Sequence, residues 1–88
     1  MVVKEVQVIN KLGLHARPAA LLVQKASKFK SEITLEKEGQ KVNGKSIMGV
    51  MMLAAEKGST LTIRAEGEDE NEAVEALVEI IQSKFGEE

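Results

Sequence analysis

Alternation of apolar and polar residues along the chain predicts four strands. Valine and isoleucine dominate the first, and the others place side chains such as Ile33 and Leu35 on one face with polar residues between them. The predicted strands are 2–9, 32–37, 41–43 and 60–65, with a hairpin turn at 38–40. Strands with one apolar and one polar face favour an antiparallel sheet that leaves one side open to solvent.

A helical period of apolar residues predicts three helices. The first begins at Ala16, and its apolar face continues to Phe29. The second is short: Ser46 is a suitable N-cap, and the helix runs from residue 47 to about Glu56 and stops before Gly58. We expect the two longer helices to cover the apolar face of the sheet.

The third helix follows Asp69, whose spacing to Glu72 is that of a capping box. Its apolar positions keep the helical period as far as Phe85, and Gly86 ends it. The element order is therefore β-α-β-β-α-β-α. We predict an α+β fold, a two-layer open-faced β-sandwich with a four-stranded antiparallel sheet and helices packed on one face. Residues 1–88 are enough for a single domain only.

Composition excludes several classes of function. A net charge of −2 and only two aromatic residues argue against a nucleic-acid binder. Without cysteine the chain has no disulfide framework, and with one histidine it has too few ligands for a transition-metal site. No apolar run approaches the roughly 20 residues of a membrane span. The N-terminus also lacks a signal-peptide pattern, so we expect a cytoplasmic protein with no membrane insertion.

The candidate chemistry lies in residues 13–20, Gly-Leu-His-Ala-Arg-Pro-Ala-Ala, which contain the only histidine and the only proline. His15 stands at the predicted N-cap of the first helix, so Ala16, Arg17 and Pro18 form its first turn. The backbone N–H groups of Ala16 and Arg17 have no partner inside the helix and should point toward the space near the imidazole. With the charge of Arg17 they form a site suited to phosphate.

This environment favours a neutral imidazole, which has a free lone pair and is a usable nucleophile. A phosphohistidine at His15 would place its negative charge beside the helix start, which contributes about 0.3–1 kcal/mol per anion. That is enough to steady a phosphate and too little to trap it. On these grounds alone an ordinary exposed histidine in a turn is an equal alternative. Nothing in the spacing supports a Ser-His-Asp triad.

Residues 13–19 resemble the phosphorylation-site signature of the HPr family, the histidine-containing phosphocarriers of the bacterial sugar phosphotransferase system. The resemblance covers the whole chain, including residues 45–51 and 66–70. It implies that His15 accepts a phosphoryl group at Nδ1 from Enzyme I and donates it to the IIA domain of sugar permeases, while Arg17 interacts with the phosphate. Such a protein is a stoichiometric carrier rather than an enzyme. We expect a monomer without a cofactor.

One position near this site departs from the family pattern. Leu12 stands where a small polar residue able to hydrogen-bond is expected. Its presence predicts looser orientation of the phosphate or of the histidine.

Ser46 can be interpreted in two ways. A capping serine worth about 1 kcal/mol explains it fully. The resemblance adds a regulatory site, because residues 45–49 are similar to the serine site that HPr kinase/phosphorylase modifies for carbon catabolite regulation. That reading brings in a LacI-type regulator as a partner. It also leaves an alternative function, a binding module that acts mainly through phosphorylated Ser46 as a corepressor.

The middle helix has two apolar stripes, one with Ile47, Val50, Met51 and Ala54 and another with Met48, Met52 and Ala55. Both stripes could be core, or methionines could remain exposed as an adaptable docking surface. The resemblance favours docking and implies a patch around the histidine. We define this docking patch as Ala20, Ile47, Met48 and Met51.

Residues 39–46 match the pattern G-x-x-x-x-G-K-S of a phosphate-binding P-loop. The pattern carries meaning only between a buried parallel strand and a long helix. Here it begins in a polar hairpin turn of a short chain, so we interpret the match as coincidence and set aside a small NTPase.

Overall fold

The computed structural model describes residues 1–87, which form a four-stranded antiparallel sheet with three helices on one side. The predicted fold class and element order are confirmed. The strands are β1 (Val2–Gln7), β2 (Glu32–Lys37), β3 (Gln40–Asn43) and β4 (Thr60–Glu66). The helices are α1 (Ala16–Ala26), α2 (Ile47–Met52) and α3 (Glu70–Gln82), followed by a 3-10 turn at Lys84–Gly86. Within residues 1–87 no helix is both long and apolar enough to cross a membrane.

The strand order is β1-β4-β2-β3, so β4 is paired on both edges. In this register Leu61 lies opposite Val6, and Ile63 lies opposite Leu35. These alternate side chains point to the helices and are buried, together with Leu22 of α1. The other face of the sheet carries polar residues and stays open, as the alternation predicts.

Helix α2 is four residues shorter than predicted. It ends at Met52, and Ala54 has a φ of 50°, which lies outside the helical region. The Lys37 ammonium donates hydrogen bonds to the carbonyl oxygens of Leu53 (3.0 Å) and Ala54 (3.2 Å), which lie at the end of the helix. The predicted extension to Glu56 is wrong because the chain turns here.

The predicted capping box at Asp69 is wrong. Asp69 is the N-cap of α3, but its side chain makes no capping hydrogen bond. Its carboxylate instead accepts from the backbone N–H of Lys30 (2.9 Å), the backbone N–H of Ser31 (3.0 Å) and the Ser31 hydroxyl (2.5 Å). Asp69 therefore ties the start of α3 to the segment that enters β2.

These contacts predict an acid-sensitive contribution to stability. The Ser31 hydroxyl and the N–H groups of Lys30 and Ser31 hold the pKa of the Asp69 carboxyl below the ordinary value of an aspartate. A lowered folded-state pKa stabilises the fold at pH values above the unfolded pKa, and this contribution is lost as the pH falls through the folded value. We expect Asp69→Asn to lower the free energy of unfolding at neutral pH and the deficit to shrink below about pH 4.

Urea unfolding of both proteins across this pH range measures the deficit. The matched control is Glu68→Gln, since Glu68 is the exposed neighbour of Asp69. That variant should stay close to the parent protein at every pH. A deficit for Asp69→Asn that does not change with pH would rule out the ionised carboxylate as its cause.

The segment after α3 also differs from the prediction. The helix ends at Gln82, and Lys84, Phe85 and Gly86 have φ values of 60°, 57° and 76°. Phe85 is buried as expected, but it reaches the core from this left-handed turn and not from a continuous helix. The turn carries the chain back toward α1 and places Glu87 beside residue 15.

Candidate functional site

The loop before α1 is fastened to the segment after α2. The backbone N–H of Leu14 donates to the carbonyl oxygen of Ala55 over 2.8 Å, and the Leu14 side chain is buried. Gly13 has a φ of 70° and lies so close to this segment that a Cβ there would be 2.9 Å from Cα of Glu56. The loop therefore has little freedom, and it fixes where α1 begins.

His15 is the N-cap of α1, as predicted, with extended backbone angles. Its carbonyl oxygen accepts the N–H of Ala19 over 3.0 Å, while its side chain makes no capping bond. The side chain is 38% exposed. The backbone N–H groups of Ala16 and Arg17 have no acceptor among residues 1–87. An imidazole and two free donors thus lie together at the open end of a helix.

Arg17 is exposed at the second position of α1. In the described part of the chain its guanidinium makes no hydrogen bond and no ion pair. It remains available to an anion. Pro18, which has no N–H, is buried in the first turn.

An acidic side chain that the sequence analysis missed contacts the histidine. Oε2 of Glu87 lies 3.1 Å from Nε2 of His15, and Oε1 of Glu87 accepts a hydrogen bond of 3.0 Å from Nδ2 of Asn10. Asn10 is fully buried and also donates to the carbonyl oxygen of Gly13 over 2.8 Å. Glu87 and His15 are 72 positions apart, and no motif connects them. Asn10 looked like an ordinary turn residue.

Ser46 is the N-cap of α2, as predicted. Its Oγ accepts the backbone N–H of Gly49 over 3.0 Å, and the residue is half-buried. The neighbouring Lys45 is already engaged, because its ammonium donates to the carbonyl oxygen of Phe29 over 2.7 Å. Helix α2 packs against α1, which brings the region of Ser46 and that of His15 onto neighbouring elements.

The outer side of α2 exposes large apolar side chains. Met48 is 76% exposed and Met52 is 65% exposed, whereas Val50 is fully buried. The interpretation that both stripes are core is therefore wrong. Ile47 and Met51 are exposed at the same helix, Ala20 is half-buried on α1, and Leu12 is exposed in the loop before His15.

The P-loop match lies in the wrong structural context. Gly39 is in the turn of the antiparallel β2–β3 hairpin, and Ser46 begins a helix of only six residues. A phosphate-binding P-loop joins a buried parallel strand to a long helix.

Comparison with known proteins shows what the whole chain is similar to. The model of the PTS HPr component phosphorylation site matches residues 2–83. The chain is 58% identical over 84 residues to the HPr-like protein Crh of Halalkalibacterium halodurans. This match covers 96% of this chain and all of that protein. It is 54% identical over 88 residues to the phosphocarrier protein HPr of Treponema pallidum, with complete coverage of both chains.

The fold is similar to solved structures of the same family. The crystal structure of HPr-C-His from Thermoanaerobacter tengcongensis superposes with a TM-score of 0.97 at 57% sequence identity. The match covers 100% of this chain and 99% of that one.

Proposed function

The chain belongs to the HPr family of phosphotransferase-system phosphocarriers, and we propose that His15 is the residue that carries the phosphoryl group from Enzyme I to the IIA domain of a sugar permease. One observation carries this proposal. The single histidine of the chain stands partly exposed at the N-cap of α1, beside two backbone N–H groups without acceptors among residues 1–87 and beside Arg17.

The transfer needs only the imidazole and its surroundings. The lone pair of Nδ1 forms a bond to phosphorus while the bond between phosphorus and the donor atom of Enzyme I breaks, and that electron pair stays on the donor. The same exchange with an acceptor atom of the IIA domain returns His15 to its free form. The protein is the acceptor in the first exchange and the donor in the second, one phosphoryl group at a time, so it acts as a stoichiometric carrier and not as an enzyme.

The helix start suits a reversible phosphate. The N–H groups of Ala16 and Arg17 and the helix dipole favour an anion by about 0.3–1 kcal/mol, and the guanidinium of Arg17 can pair with phosphate oxygens. These interactions are partly exposed to water, which keeps them weak. A phosphoryl group held in this way can leave again when a partner presents an acceptor.

The docking patch supports transfer between proteins. Ile47, Met48 and Met51 are exposed on α2, which packs against the helix that begins at His15. Flexible thioether side chains adapt to partners of different shape. One patch can therefore receive Enzyme I and IIA domains in turn, while the small side chains of Ala16 and Ala20 leave room for the partner's active site.

Incubation with phosphoenolpyruvate and Enzyme I tests the proposal. The protein should take up one phosphate that is labile in acid and stable in base, as a phosphohistidine is, and should lose it when a IIA domain is added. A base-labile phosphate, or none, would contradict the proposal.

A second role at Ser46 is favoured by the position of this hydroxyl at the start of α2 and by the likeness of the chain to Crh, the Bacillus subtilis catabolite repression HPr. In this role HPr kinase/phosphorylase phosphorylates Ser46 using ATP, and the phosphoprotein binds a LacI-type regulator. The added charge would lie beside the apolar docking patch and weaken the binding of partners there. Because His15 is present, we propose the carrier as the primary function and regulation as an addition to it.

Ser46→Ala separates the cap from the regulatory site. We expect it to lower the free energy of unfolding by about 1 kcal/mol, since the N–H of Gly49 loses its acceptor. It should abolish phosphorylation by the kinase and leave uptake from Enzyme I unchanged.

Urea unfolding measures the loss of stability. Labelling by HPr kinase/phosphorylase and, separately, by Enzyme I measures the two phosphorylation reactions. The discriminating binding assay is capture of a LacI-type repressor with and without phosphate on Ser46. If capture does not depend on that phosphate, Ser46 is only a cap.

A further inference from the structure

We infer that Glu87, held by Asn10, is a positioning residue that fixes the tautomer of His15 and so directs the phosphoryl group to Nδ1. The inference rests on the proposed function, because it assigns a role within the same transfer. It comes from three features: the contact of Glu87 with Nε2, the buried amide behind it, and the unusual backbone that brings Glu87 to this place.

The contact determines which nitrogen carries the proton. An ionised carboxylate can only accept hydrogen bonds, so the 3.1 Å contact between Oε2 of Glu87 and Nε2 of His15 requires a hydrogen on Nε2. A neutral imidazole has one N–H, and its other nitrogen then has a free lone pair. That nitrogen is Nδ1. Glu87 thus leaves Nδ1 as the nucleophile and occupies only the opposite side of the ring.

Asn10 fixes the orientation of the Glu87 carboxylate. Its two donors go to the carbonyl oxygen of Gly13 and to Oε1 of Glu87, both of which can only accept, so the orientation of the amide is determined. The other atom of the amide, Oδ1, is buried without a protein partner within residues 1–87. An unpaired buried oxygen destabilises a fold, so this arrangement satisfies the two acceptors at the expense of Oδ1.

The backbone before Glu87 is strained, and this conformation brings Glu87 to His15. Lys84 and Phe85 have left-handed φ values of 60° and 57°, which are unfavourable for residues other than glycine. Burial of Phe85 holds the turn in place, and Gly86 continues it. If α3 continued as a regular helix through Phe85, the left-handed turn that precedes Glu87 would be absent. Strain of this kind is often found where a side chain must be presented for function.

The carboxylate also assists the reaction itself. When Nδ1 bonds to phosphorus, the ring gains positive charge and keeps its proton on Nε2. The hydrogen bond from Nε2 to Glu87 then becomes charge-assisted and stronger, which stabilises the transition state more than the free histidine. Since Glu87 is 24% exposed at its side chain, water weakens this effect, and we expect a moderate contribution.

Glu87→Gln in the full-length protein tests the inference. The amide has the size of the carboxylate but is neutral and can also donate a hydrogen bond, so it no longer demands a hydrogen on Nε2. Nitrogen-15 spectra of the His15 ring, recorded where the imidazole is neutral, should show the Nε2–H form in the parent protein and averaged tautomers in the variant. The rate of phosphoryl uptake from Enzyme I should fall about tenfold.

Glu72→Gln is the matched control, because Glu72 is an exposed glutamate on α3 and the variant removes the same charge. Its tautomer and uptake rate should equal those of the parent. A Glu87→Gln protein with the parent's tautomer would overturn the inference, even if uptake slowed. Failure of the parent protein to accept phosphate would instead contradict the proposed function, while the tautomer measurement would still report on Glu87.

Discussion

Replacing His15 with alanine is expected to abolish phosphoryl uptake from Enzyme I. The chain has no second histidine and no cysteine, so no other side chain offers a comparable nucleophile at neutral pH. The imidazole makes no capping bond in α1, and its only side-chain hydrogen bond among residues 1–87 is to Glu87. The variant should therefore fold with nearly the parent stability, within about 1 kcal/mol.

The measurement is incorporation of phosphate from labelled phosphoenolpyruvate, with the circular dichroism spectrum and thermal transition as evidence of folding. Gln24→Ala is a suitable control because Gln24 is an exposed residue of the same helix. The control should be labelled to the parent level. Equal labelling of a folded His15→Ala protein would show that another residue accepts the group and would end the proposal for His15.

The fold was largely predictable because its signals are local. Strict alternation over residues 32–37 and 60–65 requires strands, and the register observed for Leu35, Leu61 and Ile63 places all three on the buried face. The N-caps at His15 and Ser46 were also predictable, since a helix start is encoded within a few residues. These features depend on periodicity and capping, which a single sequence contains.

Features that depend on distant contacts were not predictable. Asp69 and Glu72 have capping-box spacing, yet the carboxylate of Asp69 binds the backbone N–H of Lys30 and of Ser31, 39 and 38 positions away. Three donors in the preceding loop compete with the helix N–H for the same carboxylate. The end of α2 is similar, because the carbonyl groups of Leu53 and Ala54, just after the helix, accept hydrogen bonds from Lys37. In both cases contacts with residues distant in sequence overrode the local signal.

The candidate site also contains a part that could be predicted from local sequence and a part that depends on distant contacts. His15, Arg17 and the free N–H groups come from one short stretch, so sequence and elementary helix geometry suggest an anion site. Glu87 and Asn10 join it only after α3 ends and the chain turns at Phe85. The apolar period continues through Phe85, and that is why a longer helix was predicted. The period describes which side chains are buried and does not describe how the backbone reaches them.

Gly13→Ala should lower both stability and transfer, although it leaves every polar group in place. Gly13 has a φ of 70°, a conformation that costs an alanine about 1–2 kcal/mol. A Cβ there would also collide with the carbonyl oxygen of Ala55 and lie 2.9 Å from Cα of Glu56, and both are backbone atoms that cannot move aside alone. We expect a loss of about 2–4 kcal/mol in the free energy of unfolding.

Gly39→Ala separates the two causes of this loss. Gly39 also has a positive φ, 84°, but a Cβ there would meet nothing within 4 Å. Gly39→Ala should therefore lose about 1 kcal/mol and keep full phosphoryl uptake. Gly13→Ala should lose more and transfer slowly under conditions in which it is still folded, because the loop that carries His15 is displaced from the segment after α2. Equal losses for the two variants would show that backbone conformation alone matters at Gly13, and that the close approach to Ala55 does not hold the histidine in place.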